Sequence, residues 1–538
     1  MLHLIRSITK KEWMFWAKVA ATVLVLTSLS RIFAVLWTPD GQVWTGRVYF
    51  APADRFVYAS YIEQVRDGAF LLEDMYTSKD ESTPMFNIFW IGAGLIARLT
   101  GLSAKATLEL LRLALIPALL FVLYLFLKLL ISDIFQRKLT FLLAAFGGGL
   151  GVWLYPLLEP FFRGKPVYDY LPIDFTVAES FIFTTCYYSA HFIFSMLLFV
   201  AILFFSLLVL ERRRLSYAIP AGLAGLLLAN FHPFSFAVIC FILGVYAIYL
   251  FWKDRRGAGF FLKYLFIFAL LSFPSAAYHY YMLDTPWWRN QIWNSGTERP
   301  NIIFIAVGYG LLLVFSVLEV IGIVKNKIKF DYAPILVIWF LSQVALIFFP
   351  MSVQRRFLEG YGIILSILAG YFLKDFLKKR KWMPDRKIFA LIFFTLSFSL
   401  SFIAVLYFDF YNIYLRIKSM YISSDAIEAM MELKRVAGPD ELVLADIFNA
   451  NMIPGLAVRR VFVGHGSETI DFDRKYKTLQ SFMKSTDTAE RRAMLKNNEI
   501  KFFFYDAQWR GEWAWEPDTD RSLQKVFEKG EYKIYRIL

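Results

Sequence analysis

At 538 residues, with 58% hydrophobic and 19% aromatic residues and a mean hydropathy of +0.50, the chain has the composition of a polytopic membrane protein rather than a string of soluble domains. The formal net charge of +14 would suit a nucleic-acid binder, but the surplus Lys and Arg lie in short gaps between long apolar runs and form no single face, so topology accounts for them and nucleic acid is not an expected partner. Two cysteines, Cys186 and Cys240, are too few and too far apart for a disulfide framework or a Cys/His metal spacing.

The amino-terminal stretch KKEWMFWAKVAATVLVLTSLSRIFAVLW is too long and aromatic for a cleaved signal and has no small-residue cleavage site, so it is expected to stay as a first span. Spans need about 20 apolar residues to cross the hydrocarbon. Eleven are expected, near 16–37, 108–131, 139–158, 190–210, 217–231, 234–252, 259–278, 301–323, 332–350, 358–378 and 387–408. Every second gap is basic: Arg137/Lys138, Arg212 to Arg214, Lys253/Arg255/Arg256, Lys325/Lys327/Lys329 and the cluster from Lys378 to Lys387. With Arg6/Lys10/Lys11 ahead of the first span, the rule that cytoplasmic loops are basic places the amino terminus inside the cell and the carboxyl terminus outside, in the cell membrane. The fifth and sixth spans are separated only by Phe231-His232-Pro233, a tight outer hairpin.

Between the first two spans the segment 38–107 forms a long external loop rich in acids and aromatics. Within it, Ser60 to Arg66 has helical character with Asp67-Gly68 as its stop. PMFNIFWIGAGLIARL at 84–99 is expected to lie in the outer interface, because a twelfth span would move Arg137/Lys138 outside. No tandem repeat and no inverted pair of Gly/Pro-broken spans is visible. The fold class expected is therefore a polytopic α-helical membrane domain over 1–415. An extracytoplasmic α/β domain follows over 416–538: SSDAIEAMMELKRV as a capped amphipathic helix, a break at Gly438-Pro439 and a β-rich run, then strands near 457–463, 501–505 and 532–537 and a helix at 488–497.

Candidate chemistry collects on the outer side. Asp54, with Arg55 and Tyr58 in APADRFVYASYIEQVRDG, is a carboxylate where the apolar bundle meets water. Such a group can serve as a general base on a hydroxyl, or simply cap an interfacial helix and pair with Arg55. Glu179, with Asp174 behind it, is the second acid. Arg355 and Arg356 in FPMSVQRRFLEGYG break the charge rule by standing outside. Two guanidinium groups at that depth suit a lipid-borne phosphate, the competing explanation being interfacial anchors or partners of Glu359. His191 and His232 stand at span edges, where a lone His is commonly structural. Trp287, Trp288 and Trp293 read as interface anchors or sugar-stacking faces. The loop Gly464-His465-Gly466-Ser467-Glu468-Thr469 follows a strand, either facing the membrane site or forming a plain turn.

The long acidic first external loop, its interfacial helices, the PMFNIFWIGAGLIARLTG segment leading into the second span and the carboxyl-terminal external domain together resemble the GT-C superfamily of membrane glycosyltransferases. The resemblance implies a polyprenyl-phosphate-linked sugar donor and transfer to a glycan, lipid or protein acceptor, as a hexosyl- or pentosyltransferase. It also implies that Asp54 is the catalytic carboxylate, that Glu179 matches an acid which some members use for metal, and that Arg355/Arg356 hold the lipid phosphate. Arg55, Tyr58, His191, His232 and His465 complete the expected substrate-binding set. ADR stands where the superfamily often has paired acids, which leaves a divalent cation open, and no WWDYG-type signature of the oligosaccharyltransferase branch is present. A transporter or lipid flippase and a non-catalytic envelope scaffold are the alternatives. Charges in mid-span look scarce, which counts against transport.

Overall fold

The computed structural model describes residues 2–48, 53–165, 171–294, 297–379 and 400–538. Among these, eight helices are long and apolar enough to cross a membrane: Lys10–Leu36, Ala104–Leu130, Ile134–Phe162, Ala190–Arg212, Pro233–Lys253, Arg255–Met282, Ile302–Val324 and Gln354–Leu377. Three shorter apolar helices, Leu215–Phe231, Ala333–Ile347 and Leu400–Tyr414, fall on the remaining expected spans. Part of the last of these, with the basic cluster ahead of it, lies outside the described residues. The chain is a mostly helical, multi-pass membrane protein with a carboxyl-terminal sheet region.

The chain divides into two compact units. The first comprises Met1–Ser30, Glu109–Tyr280 and Thr297–Asp409. Its core is a continuous field of Leu, Ile, Val and Phe in which helix 190–212 is buried nearly all round, as its lack of a polar face requires. Two membrane helices in it are broken, against the expectation of uninterrupted spans at 139–158 and 301–323. Helix Ile134–Phe146 stops at Gly147-Gly148-Gly149 and restarts as Gly151–Phe162, while Gly310 interrupts Ile302–Val324 with φ of 51°. The breaks meet, with Leu150 N–H donating to Val307 O at 2.8 Å. A Cβ on Gly149 would lie 2.0 Å from Gly308 O, so only glycine admits this backbone approach.

Buried charges gather towards the ends of the membrane helices. Glu12 is buried with Arg137 (2.5 Å), Lys128 and Tyr124, and Arg112 bonds Glu109, Thr27 and Ser28. Glu319 is buried in helix 302–324.

The second unit comprises Arg31–Leu108, Tyr281–Gly296 and Phe410–Leu538. Strand β1 (Gln42–Trp44) pairs antiparallel with β2 (Tyr421–Ser423). A five-stranded sheet holds β3 (Leu442–Leu444), β4 (Arg460–Val461), β5 (Ile500–Asp506), β6 (Leu523–Lys529) and β7 (Tyr532–Ile537) in the order β4-β3-β5-β7-β6. β3, β4 and β5 are mutually parallel, and β7 runs antiparallel to both its neighbours, β5 and β6. Helix Ser424–Val436 begins at the Ser423 cap, as expected. The expected β-rich run is β3, and after it comes helix Ile447–Ala457, capped by Asp446 through Asn449 N–H at 3.0 Å, which the sequence reading did not include. The strand expected over 457–463 shrinks to two residues.

The interfacial segment is helix Ile88–Thr100, whose 13 residues are too few to span, and it packs on helix Asp54–Arg66 where Gly94 approaches Val65. The remainder of the first loop is fastened by buried cations of the sheet region. Arg460 binds Glu73 and the Asp74 carbonyl (2.8 Å), and Lys475 binds Glu81 and Thr77 Oγ1 (2.9 Å).

Candidate functional site

Asp54 is the first residue of helix 54–66, four positions before Tyr58, so one helical turn brings the two together and Tyr58 O–H donates to Asp54 Oδ2 at 3.2 Å. The Tyr58 ring is stacked on Trp90 at 4.9 Å, which fixes it. The loop after β4 supplies the second partner. His465 Nε2 lies 3.0 Å from Asp54 Oδ1, across 411 residues of sequence. The His465 side chain is 9% exposed and that of Asp54 33%, so the carboxylate is the accessible member.

Helix Pro286–Asn294 holds that loop. Trp287 Nε1 donates to Glu468 Oε2 at 3.0 Å, and Asn290 Nδ2 donates to Ser467 O at 2.7 Å. The tryptophan indole thus serves as a hydrogen-bond donor, a role that neither anchoring nor stacking had anticipated. The side chain of Trp293 lies outside the described set. Within the loop, Thr469 N–H closes on His465 O at 2.9 Å and Gly464 N–H on Thr469 Oγ1 at 3.1 Å.

Two further carboxyl groups stand behind the dyad. Asp74 and Glu468 are both buried, and both carboxyls are held above their usual range, first by burial and then by neighbouring negative charge. Asp74 accepts the Tyr76 amide at 2.8 Å through Oδ1. Burial pulls His465 down, but its bond to Asp54 and the charges of Asp54, Glu468 and Asp74 more than offset this and leave it above its ordinary value. Both ring nitrogens have partners: Nε2 faces Asp54, and Nδ1 lies 3.2 Å from Ser467 Oγ and accepts the Glu468 N–H at 3.4 Å. Asp74 and Glu468 carried no motif in the sequence. The only signal was the density of acids around Asp74 and the compact polar loop around Glu468.

The remaining expected residues belong to the membrane unit, apart from Arg55, which is buried on helix 54–66. Glu179, in a short 3₁₀ turn, lies 3.7 Å from the Arg356 guanidinium. Arg355 and Arg356 ride the 3₁₀ turn Gln354–Leu358, with Arg355 N–H on Thr297 O at 2.9 Å. Glu359 is engaged by His232 Nδ1 at 2.9 Å and by Ser195 Oγ at 2.5 Å. His191 Nδ1 lies 3.1 Å from Ser189 Oγ, with its ring against Phe192 at 4.1 Å. Thus Asp54, Tyr58 and His465 come together in one unit, and Glu179 and Arg356 in the other. Among the described residues no group of three or more His, Cys, Asp or Glu side chains is arranged to hold a metal ion.

No protein-family profile and no curated protein sequence matches the chain. Solved structures do. An oligosaccharyltransferase from Archaeoglobus fulgidus, crystallised with a tethered acceptor peptide, superposes with a TM-score of 0.53 at 12% identity over 93% of this chain and 70% of its own. The arabinofuranosyltransferase AftD from Mycobacteria superposes with a TM-score of 0.52 at 14% identity over 98% of this chain and 42% of its own. The chain has the GT-C fold. At these identities the likeness extends to the fold alone, and the GT-C architecture covers both the membrane helices and the carboxyl-terminal sheet region.

Proposed function

We propose that this GT-C-fold protein is a glycosyltransferase that moves a sugar from a polyprenyl-phosphate donor to an acceptor hydroxyl on the extracytoplasmic side. The observation that carries the reading is the Asp54–His465 pair, a half-exposed carboxylate gripped by a buried histidine and a tyrosine. Asp54 takes the proton of the acceptor hydroxyl as its oxygen bonds to the sugar C1, and the C1–O bond to phosphate breaks with its electron pair leaving on the phosphate. The leaving group is already a stable anion, so cations serve it better than a general acid. Arg355 and Arg356 are assigned to that phosphate, with Glu179 orienting Arg356. Arg55, Tyr58, His191 and His232 are assigned to shaping the substrate site, and His465 to holding Asp54.

Topology follows the charge pattern, with the amino terminus cytoplasmic and the 416–538 domain extracytoplasmic. The sugar, hexosyl or pentosyl, and the acceptor, whether glycan, lipid or protein, are to be read from the assay. The test is purified protein in proteoliposomes with radiolabelled polyprenyl-phosphate sugars. Turnover to a labelled acceptor supports the transferase. Sugar-independent lipid movement would support a flippase, a reading favoured by the two broken membrane helices and the buried Glu319. Absence of both turnover and lipid movement would support an envelope scaffold.

A further inference from the structure

Glu359 follows the arginine-bearing turn directly, and in an extended loop its carboxylate would be the nearest partner for Arg355 and Arg356. The membrane unit places it elsewhere. Glu359 is fully buried, and its carboxylate accepts hydrogen bonds from Ser195 Oγ at 2.5 Å and from Ser235 Oγ, while His232 Nδ1 lies 2.9 Å away. Ser195 belongs to helix 190–212, and His232 and Ser235 to the start of helix 233–253. The backbone around it is held as firmly. Gln343 Nε2, from helix 333–347, donates to the carbonyls of Phe357 and Glu359 at 2.8 Å each, and its own Oε1 accepts Trp339 Nε1 at 2.6 Å. Gly360 then turns with φ of 72° and gives its N–H to the Glu179 carbonyl at 3.3 Å, the residue whose side chain lies 3.7 Å from Arg356.

A buried carboxylate costs several kcal/mol to desolvate, and a buried pair is weak evidence of stability for its own sake. Two membrane helices nonetheless converge on this carboxylate, and a third holds its backbone. We propose that Glu359 is a positioning residue. By locking onto Ser195, Ser235 and His232 it fixes the Gln354–Leu358 turn, and with it Arg355 and Arg356, in the geometry that receives the lipid phosphate, and keeps its own charge off the guanidinium groups. His232 serves as a polar partner of Glu359, 2.9 Å from its carboxylate, rather than as a direct substrate ligand. This inference rests on the assignment of Arg355/Arg356 to phosphate.

The experiment uses the full chain in nanodiscs, with polyprenyl monophosphate as the binding probe and the labelled donor for kinetics. Glu359→Gln should weaken probe binding and raise the donor KM roughly 10- to 100-fold, since a misplacement of about 1 Å in a binding clamp costs about that much. Its kcat at saturating donor should stay within about threefold of wild type. Glu359→Asp, which keeps the charge, should recover part of the loss. Ser195→Ala leaves the His232 pair intact and serves if the Gln variant does not fold; it should weaken probe binding measurably with kcat unchanged. Arg355→Ala and Arg356→Ala set the reference. If both bind the probe like wild type, the phosphate assignment fails and this inference with it. If they lose binding while Glu359→Gln, or Ser195→Ala in its place, binds normally, the assignment survives and the positioning role is wrong. A fall in kcat with KM unchanged would also overturn it.

Discussion

Replacing Asp54 by Asn is the most direct probe of the dyad. The amide keeps the shape of the carboxylate. Its oxygen can still accept from His465 Nε2, now 3.0 Å from Oδ1, and its nitrogen can donate to the Tyr58 hydroxyl that now bonds Oδ2 at 3.2 Å. Helix 54–66 should therefore persist, with the melting temperature of the detergent-solubilised protein within a few degrees of wild type, on the order of what about 1 kcal/mol produces. What disappears is the proton acceptor. General-base catalysis contributes about 10²- to 10⁴-fold, so transfer in proteoliposomes should fall by that factor, about 3–5.5 kcal/mol in barrier. His465→Gln removes a charge-assisted partner worth about 1.5–3 kcal/mol and should cost roughly 10- to 150-fold, less than Asp54→Asn. Asp54→Asn with full transfer activity would refute the assignment. So would a His465→Gln loss deeper than that of Asp54→Asn, which would make the histidine the base.

Because His465 sits above its ordinary 6.5 when folded, the stability it contributes is fully present below that value and is lost as pH rises through the folded one. The melting-temperature gap between wild type and His465→Gln should accordingly be wider near pH 5.5 than near pH 9, and a gap that widens with pH would contradict the pairing. Gly149→Ala drives a methyl to 2.0 Å from the Gly308 carbonyl and should destabilise the membrane unit by more than about 3 kcal/mol, read as early thermal aggregation. Gly244→Ala, which meets nothing within 4 Å, should be neutral or stabilising by up to about 1 kcal/mol. Trp287→Phe keeps the ring but strips the 3.0 Å bond from the buried Glu468 carboxyl. It should lower stability by about 1–3 kcal/mol and transfer severalfold, and unchanged values in both assays would show that helix 286–294 does not hold the loop.

Spans were legible because hydrocarbon imposes a length and a composition that no other environment demands, and the interfacial helix 88–100 because the charge alternation admitted no further crossing. The breaks were not. Gly147-Gly148-Gly149 and Gly308/Gly310 sit inside runs apolar enough to read as continuous, and only the partner backbone reveals why glycine is there. Arg355/Arg356 stood out by breaking the charge rule and Asp54 by its place where the apolar bundle meets water, whereas His465 was one histidine among five and gained its meaning only through a contact with Asp54. Glu359 was read as a rival for the arginines. Its pairing with Ser195, Ser235 and His232 depends on two other helices that the sequence cannot orient. In the carboxyl-terminal region the expected β-run is β3, but helix 447–457, capped by Asp446, went unread, and the β1–β2 pair joins segments too distant for any local signal.

The coupled interruption of two membrane helices bears on how the chain is made. Helix 134–162 enters the bilayer while residues 302–324 are still unsynthesised, and its open turn at Gly147–Leu150 then offers the Leu150 amide to lipid with no acceptor. Unpaired backbone in hydrocarbon costs several kcal/mol per group. The acceptor is Val307 O, so insertion of the first helix stays provisional until the ribosome has delivered the later one. A nascent chain arrested before residue 300 should keep this segment within reach of a translocon or chaperone crosslinker, and release from arrest should bury it.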